Sequence, residues 1–136
     1  NDFQKLTNRT IFDVRLSNGI VDLRKDYEML SENEFKNDFS MGYQDRLGFR
    51  AGTATPFYFY DVSRELQLSL KLTPIFATEV SLRKLNNSLP FENLRAIYEK
   101  LPLKCSILSL VLTNGFLDPN LKNNNLQKGL LDFISD

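Results

Sequence analysis

The chain has 136 residues, enough for one domain with its own core, and 17 basic side chains balance 17 acidic ones. With no basic stripe along the sequence, that balance leaves no electrostatic basis for binding nucleic acid or an anionic membrane. The absence of any histidine excludes a Ser-His-Asp triad, a Cys-His pair and a histidine zinc site, and the single cysteine, Cys105, excludes an internal disulfide and a cysteine-built zinc site.

The predicted elements alternate between strand and helix. Residues 11–16 alternate and predict a strand. Asn18 and Gly19 make a turn, and the spacing of Ile20, Leu23, Tyr27 and Leu30 predicts an amphipathic helix over 20–30. Residues 35–40 and 47–50 are short strand candidates. Residues 51–61 read as a loop of small and aromatic residues, broken by Gly52 and Pro56. From 65 to 72 the alternation is clean, with Leu66, Leu68, Leu70 and Leu72 against Gln67, Ser69 and Lys71; Pro74 ends this strand.

A short helical turn covers 79–85. Ser88 and Pro90 open a helix through 101, with Glu92 in its first turn. Residues 107–112 are almost continuously aliphatic and predict a buried strand. A polar loop over 113–125 leads to a closing helix over 126–135. The longest apolar run, 105–112, is strand-sized and far short of the roughly 20 residues that span a bilayer. Neither a repeat nor a linker divides the chain, so 1–136 reads as one α/β domain with parallel pairing. A start at Asn1, with no Met and no signal peptide, suggests a piece of something longer.

Parallel α/β folds place function just beyond the carboxyl ends of their strands. By that rule the residues to test are Arg50, then Thr73 with Glu79 a few residues on, then Thr113-Asn114-Gly115. Each also has a structural reading. Arg50 would pair with a carboxylate across a strand end, Glu79 would sit among the N–H groups of a helix start, and Thr113-Asn114-Gly115 would be a turn. Cys105 reads as a small core residue. The run Phe57-Tyr58-Phe59-Tyr60 alternates two faces, one for the core and one free to stack on sugar rings. Asp13, Asp61 and Glu79 could in principle form an oxygen-rich metal site, although their spacing shows nothing specific.

Three segments carry a family resemblance. Asp38-Phe-Ser-Met-Gly-Tyr43, Gly48-Phe-Arg-Ala-Gly-Thr53 and Pro56-Phe-Tyr-Phe-Tyr-Asp61 resemble a Met-Gly-Tyr, Gly-Phe-Arg-Ala-Gly and Pro-Phe series. That series belongs to polysaccharide deacetylases with a NodB-homology domain, in a branch frequent in Bacteroidetes-type bacteria. Thr73-Pro-Ile-Phe-Ala-Thr-Glu-Val-Ser-Leu82 sits where that branch tends to have His-Pro, an Asp and Thr-Leu. Ser109-Leu-Val-Leu-Thr-Asn114 sits where it has a buried strand ending in His-Asn. The resemblance covers 9 to the last helix and implies the second half of a distorted (β/α) barrel, with about five mainly parallel strands and flanking helices.

In that family a metal held by Asp and His activates water against an N-acetyl carbonyl, and a late histidine acts as general acid. This chain departs from the pattern at every histidine position, which hold Ile11, Thr73 and Thr113. A threonine hydroxyl cannot protonate a leaving amine at neutral pH. The metal motifs belong largely to the family's first half, so zinc or another divalent metal is implied only if that half supplies ligands.

By the same resemblance, Arg50 matches the arginine that orients a catalytic carboxylate, Asn114 matches the Asn of His-Asn, and Glu79 matches an Asp by charge alone. Arg50, Glu79 and Asn114 are therefore the catalytic candidates, and Tyr43, Arg50, Tyr58 and Tyr60 the glycan-binding ones. The expected function is a non-catalytic, carbohydrate-related module on a degenerate deacetylase scaffold. The alternatives are the C-terminal part of an active metal-dependent deacetylase, or a structural protein that uses open strand edges. A glycan, and a protein partner or second copy completing the barrel, are the expected partners. The family's usual place implies the cell envelope.

Overall fold

The computed structural model describes residues 5–6, 8–17, 22–84, 90–102, 105–118 and 124–135. Among the described residues six strands form two sheets: β1 (Asp13–Val14), β2 (Asn37–Asp38), β3 (Phe57–Asp61) and β4 (Leu66–Leu72) in one, β5 (Ala77–Thr78) and β6 (Leu110–Val111) in the other. The first sheet has the order β1-β2-β4-β3. Its β1–β2 and β2–β4 pairs are parallel, and β3 lies antiparallel to β4. β5 and β6 are parallel. Helices among the described residues include α1 (Lys25–Glu32), α2 (Glu79–Lys84), α3 (Pro90–Tyr98) and α4 (Asn124–Ser135). The mixed α/β class with mostly parallel strands follows the sequence expectation, and the described sheets do not close into a barrel.

Helix α1 is fixed at both ends by backbone chemistry. The Asp22 carboxylate accepts the N–H groups of Arg24 and Lys25 at 3.1 and 3.2 Å, and Asp22 N–H donates to Asp26 at 2.7 Å. At the other end Glu34 takes a left-handed φ of 64°. There Phe35 N–H reaches Leu30 O and Glu34 N–H reaches Ser31 O, a Schellman closure made without glycine. Tyr27 and Leu30 are buried against β4, where Leu68, Leu70 and Leu72 form the floor of the first core. Fully burying each such leucine stabilises the fold by about 1.5–3 kcal/mol.

The two sheets are joined by one buried run of chain. Past Leu72, Thr73 N–H donates to Asp38 O and Ile75 N–H to Met41 O; Phe76 N–H then donates to Ser109 O. Pro74 has no N–H to offer, which interrupts the ladder between β4 and β5. Gly42 lies beside this run, and a Cβ there would stand 2.8 Å from the Ile75 Cβ, so the close approach needs glycine. The second core, around Phe76, Leu82, Leu94, Phe116 and Leu130, lies under β5, β6 and the last three helices.

Several local expectations are corrected. The 51–61 loop contains β3, because Phe57 to Tyr60 alternates against β4 in a hairpin. Residues 47–50 form no strand; they run as irregular chain that bends at Gly48, whose N–H is bonded to Phe76 O, and enters a turn at Arg50. The expected strand over 107–112 pairs only at Leu110–Val111, since β5 turns into α2 after two residues. Cys105 is exposed for the same reason, ahead of the short strand and outside the core. Helix α1 spans Lys25–Glu32, with Leu23 in the exposed turn before it. The expected Asn18-Gly19 turn, Ile20, Leu85 and Ser88 lie outside the described residues.

Candidate functional site

The carboxyl ends of β5 and β6 bring Glu79 and Thr113 together. Thr78, just before α2, and Ser81 cap the helix reciprocally: Ser81 N–H donates to Thr78 Oγ1 at 3.2 Å and Thr78 N–H to Ser81 Oγ at 2.9 Å. Glu79 thus starts the helix with its side chain turned toward β6. Its Oε2 accepts the Thr113 N–H at 2.9 Å and also the Thr113 hydroxyl. Its Oε1 accepts Arg83 Nε at 2.8 Å and a terminal guanidinium nitrogen at 2.6 Å. Burial pushes this carboxyl up, but the Thr113 hydroxyl and N–H and the Arg83 guanidinium outweigh it and hold the group below its ordinary value. A carboxylate with four donors on its two oxygens is an anchor between α2 and the end of β6. Asn114, the next residue, is exposed and begins a 3₁₀ turn over Asn114–Leu117 whose Phe116 is buried in the second core.

A second polar cluster lies inside the first core. In-register pairing sets Val14, Asp38, Leu72 and Phe57 in one row on the helix-covered face. Asp38 is fully buried there. Its oxygens accept Ser40 N–H at 3.1 Å and the Ser40 hydroxyl at 2.5 Å, and Ser40 Oγ in turn accepts Leu16 N–H at 2.8 Å. Burial raises the Asp38 carboxyl above its ordinary value, against the opposing effect of the Ser40 donors. The Tyr27 hydroxyl lies close to this carboxylate, buried and without a well-formed hydrogen bond. Burial, then the Asp38 charge, push its ionisation up, so the phenol stays neutral. The positive charge of Arg50 acts on this tyrosine from an exposed turn.

Among the described residues the opposite face of the first sheet is largely uncovered, and it carries a different row. Asp13, Asn37, Lys71 and Tyr58 are in register across β1, β2, β4 and β3. A register shift follows, and Tyr60 then stands opposite Gln67. Tyr58 and Tyr60 are 51% and 53% exposed, on one side of an edge strand and about 7 Å apart along it. Phe57 and Phe59 point the other way into the first core, where Phe59 meets Tyr27 edge-on at 4.8 Å. The split of this aromatic run into a core face and an outer face is the one its alternation predicts.

The structure divides the sequence candidates among separate places. Glu79 and Asn114 share the ends of β5 and β6, with Thr113 as the direct link. Tyr58 and Tyr60 share the outer face of β3. Tyr43 stands elsewhere, with the Arg46 guanidinium 4.3 Å above its ring, a cation–π pair. Arg50 forms no carboxylate pair among the described residues. Asp13 accepts the Asn37 amide at 2.6 Å, and Asp61 accepts Ser63 and Arg64 N–H groups in the hairpin turn. Neither joins Glu79. No group of three or more Asp, Glu or Cys side chains among the described residues is placed to hold a metal, so these residues do not fit a divalent ion.

Sequence reasoning missed Asp38, Ser40 and Lys71 as members of a site. The signal for Lys71 was present in the β4 alternation, but its neighbours depend on a hairpin read as a loop. No helix among the described residues is long and apolar enough to cross a membrane. No family model, no curated protein and no solved structure matches the chain.

Proposed function

We propose that the chain is a non-catalytic, carbohydrate-binding module on a degenerate polysaccharide deacetylase-like scaffold. The pair Tyr58 and Tyr60 on the uncovered face of β3 carries this reading. Two neighbouring phenol rings give a hydroxyl-rich chain both an apolar surface for its C–H faces and hydrogen-bonding tips. Gln67, Ser69 and Lys71 on β4 place amide, hydroxyl and ammonium groups beside them. The strand ends supply no comparable chemistry. Glu79 is saturated by Thr113 and Arg83, and the positions that resemble the family's histidines hold Ile11, Thr73 and Thr113.

A second reading is an interaction protein. Leu131 and Ile134, 59% and 68% exposed, stand one turn apart on α4, and β1 and β3 are open sheet edges. Calorimetric titration with neutral and acidic oligosaccharides separates the two. Binding that weakens about tenfold, roughly 1.4 kcal/mol, in Tyr58→Ala and Tyr60→Ala supports the carbohydrate module. An absence of binding to every sugar, together with concentration-dependent self-association lost in Leu131→Glu, selects the interaction protein.

A further inference from the structure

Lys71 occupies the centre of the face that carries Tyr58, and the positions next to it among the described residues carry no negative charge. Directly across from it are Asn37 on β2 and Tyr58 on β3. Two residues away along β4 on the same side is Ser69, and the next residue along β3 on that face is Tyr60. These are the positions from which a sheet residue is reached by its neighbours, and all are uncharged. Asp13, the sole acid in the row, is two strands away, about 9.6 Å between backbones, and already accepts the Asn37 amide at 2.6 Å. Among the described residues Lys71 forms no ion pair. The other basic residues nearest in sequence are engaged: Arg64 pairs with Glu28, Arg83 with Glu79, and Lys84 with Asp45.

An ammonium that forms no ion pair among the described residues, set between a tyrosine and two hydrogen-bonding side chains, is placed to meet an anion. We infer that the glycan bound at this face is acidic, a uronic-acid polymer whose ring lies on Tyr58 while its carboxylate meets the Lys71 ammonium. Tyr60 takes the neighbouring sugar of the same chain, and Asn37 and Ser69 serve ring hydroxyls. The inference rests on the carbohydrate reading above and adds to it the charge of the ligand.

The test is calorimetry on the full chain with a galacturonic acid oligomer and the galactose oligomer of equal length, at low and at high salt. The expected result is about two- to fivefold tighter binding of the uronate at low salt, the size of a partly exposed charge pair, narrowing as salt rises. Lys71→Gln removes that preference, so that the two oligomers bind alike, while Lys71→Arg keeps it. Equal binding of the two oligomers by the unaltered protein overturns the acidic ligand but leaves the carbohydrate reading standing. A preference that persists in Lys71→Gln overturns the assignment to this lysine. No binding of either oligomer, or of any other sugar, removes the carbohydrate reading and this inference with it.

Discussion

At the scale of single residues, two carboxylates respond to pH with opposite sign. Glu79 is held below its ordinary value of 4.5, so its contacts contribute stability above that pH and lose it as pH falls through the lower folded-state value. Asp38 is raised above 3.8 by burial, so its cost is absent at lower pH and appears as pH rises through the folded-state value. Glu79→Gln gives up the charge-assisted bonds to Arg83. Urea unfolding should show it less stable than the unaltered chain by about 1.5 kcal/mol at pH 7, with the difference shrinking below pH 4. Asp38→Asn should show the reverse trend, with its benefit greatest at neutral pH.

What could be read at this scale was residue type rather than environment. Glu79 could be placed near a strand end from the sequence, but its partner Thr113 is 34 residues away and could not. Asp38 shows only an acid two residues before a serine, a pattern equally at home in an exposed turn. Its burial comes from the parallel neighbours Val14 and Leu72, which are set by long-range register.

At the scale of elements, the alternation of Leu68, Leu70 and Leu72 against Gln67, Ser69 and Lys71 was legible because a strand with one covered face imposes a period of two. Helix α4 was legible for the equivalent reason, with a period near 3.6. The hairpin was not: Gly52 and Pro56 signal a loop, yet Pro56 stands just before β3 and costs it no ladder bond. The predicted strand over 107–112 failed through its partner, since a strand can pair no further than its neighbour extends.

The end of α1 offers a test of element chemistry. Glu34 holds a left-handed backbone that glycine adopts freely, at a cost of about 1–2 kcal/mol for an L side chain. Glycine gives back about 0.5–1 kcal/mol through the entropy of the unfolded chain. Glu34→Gly should therefore raise the thermal midpoint by a few degrees, read by far-ultraviolet circular dichroism; a lower midpoint would mean that this Schellman closure is not formed.

At the scale of the whole molecule, the strands that follow one another in sequence, β1, β2, then the β4–β5 run and β6, associate mainly in parallel and in chain order. That much follows from the alternation of strands and helices. Which face of the sheet is left bare does not follow from it, because coverage depends on where α1 lands. The helix settles against Leu68, Leu70 and Leu72, and the outward row of Tyr58, Lys71, Asn37 and Asp13 stays open. The proposed function belongs to this bare face, whereas the strand ends, where an α/β enzyme keeps its chemistry, are tied up by Glu79, Thr113 and Arg83.

Mapping amide chemical shifts of the isotope-labelled chain during titration with an oligosaccharide that it binds compares those two locations directly. Binding at the bare face predicts perturbations centred on Tyr58, Tyr60, Gln67, Ser69 and Lys71, with Glu79, Thr113 and Asn114 unmoved. Perturbations centred on Glu79, Thr113 and Asn114, with the β3–β4 face silent, would contradict it and return the ligand to the strand ends.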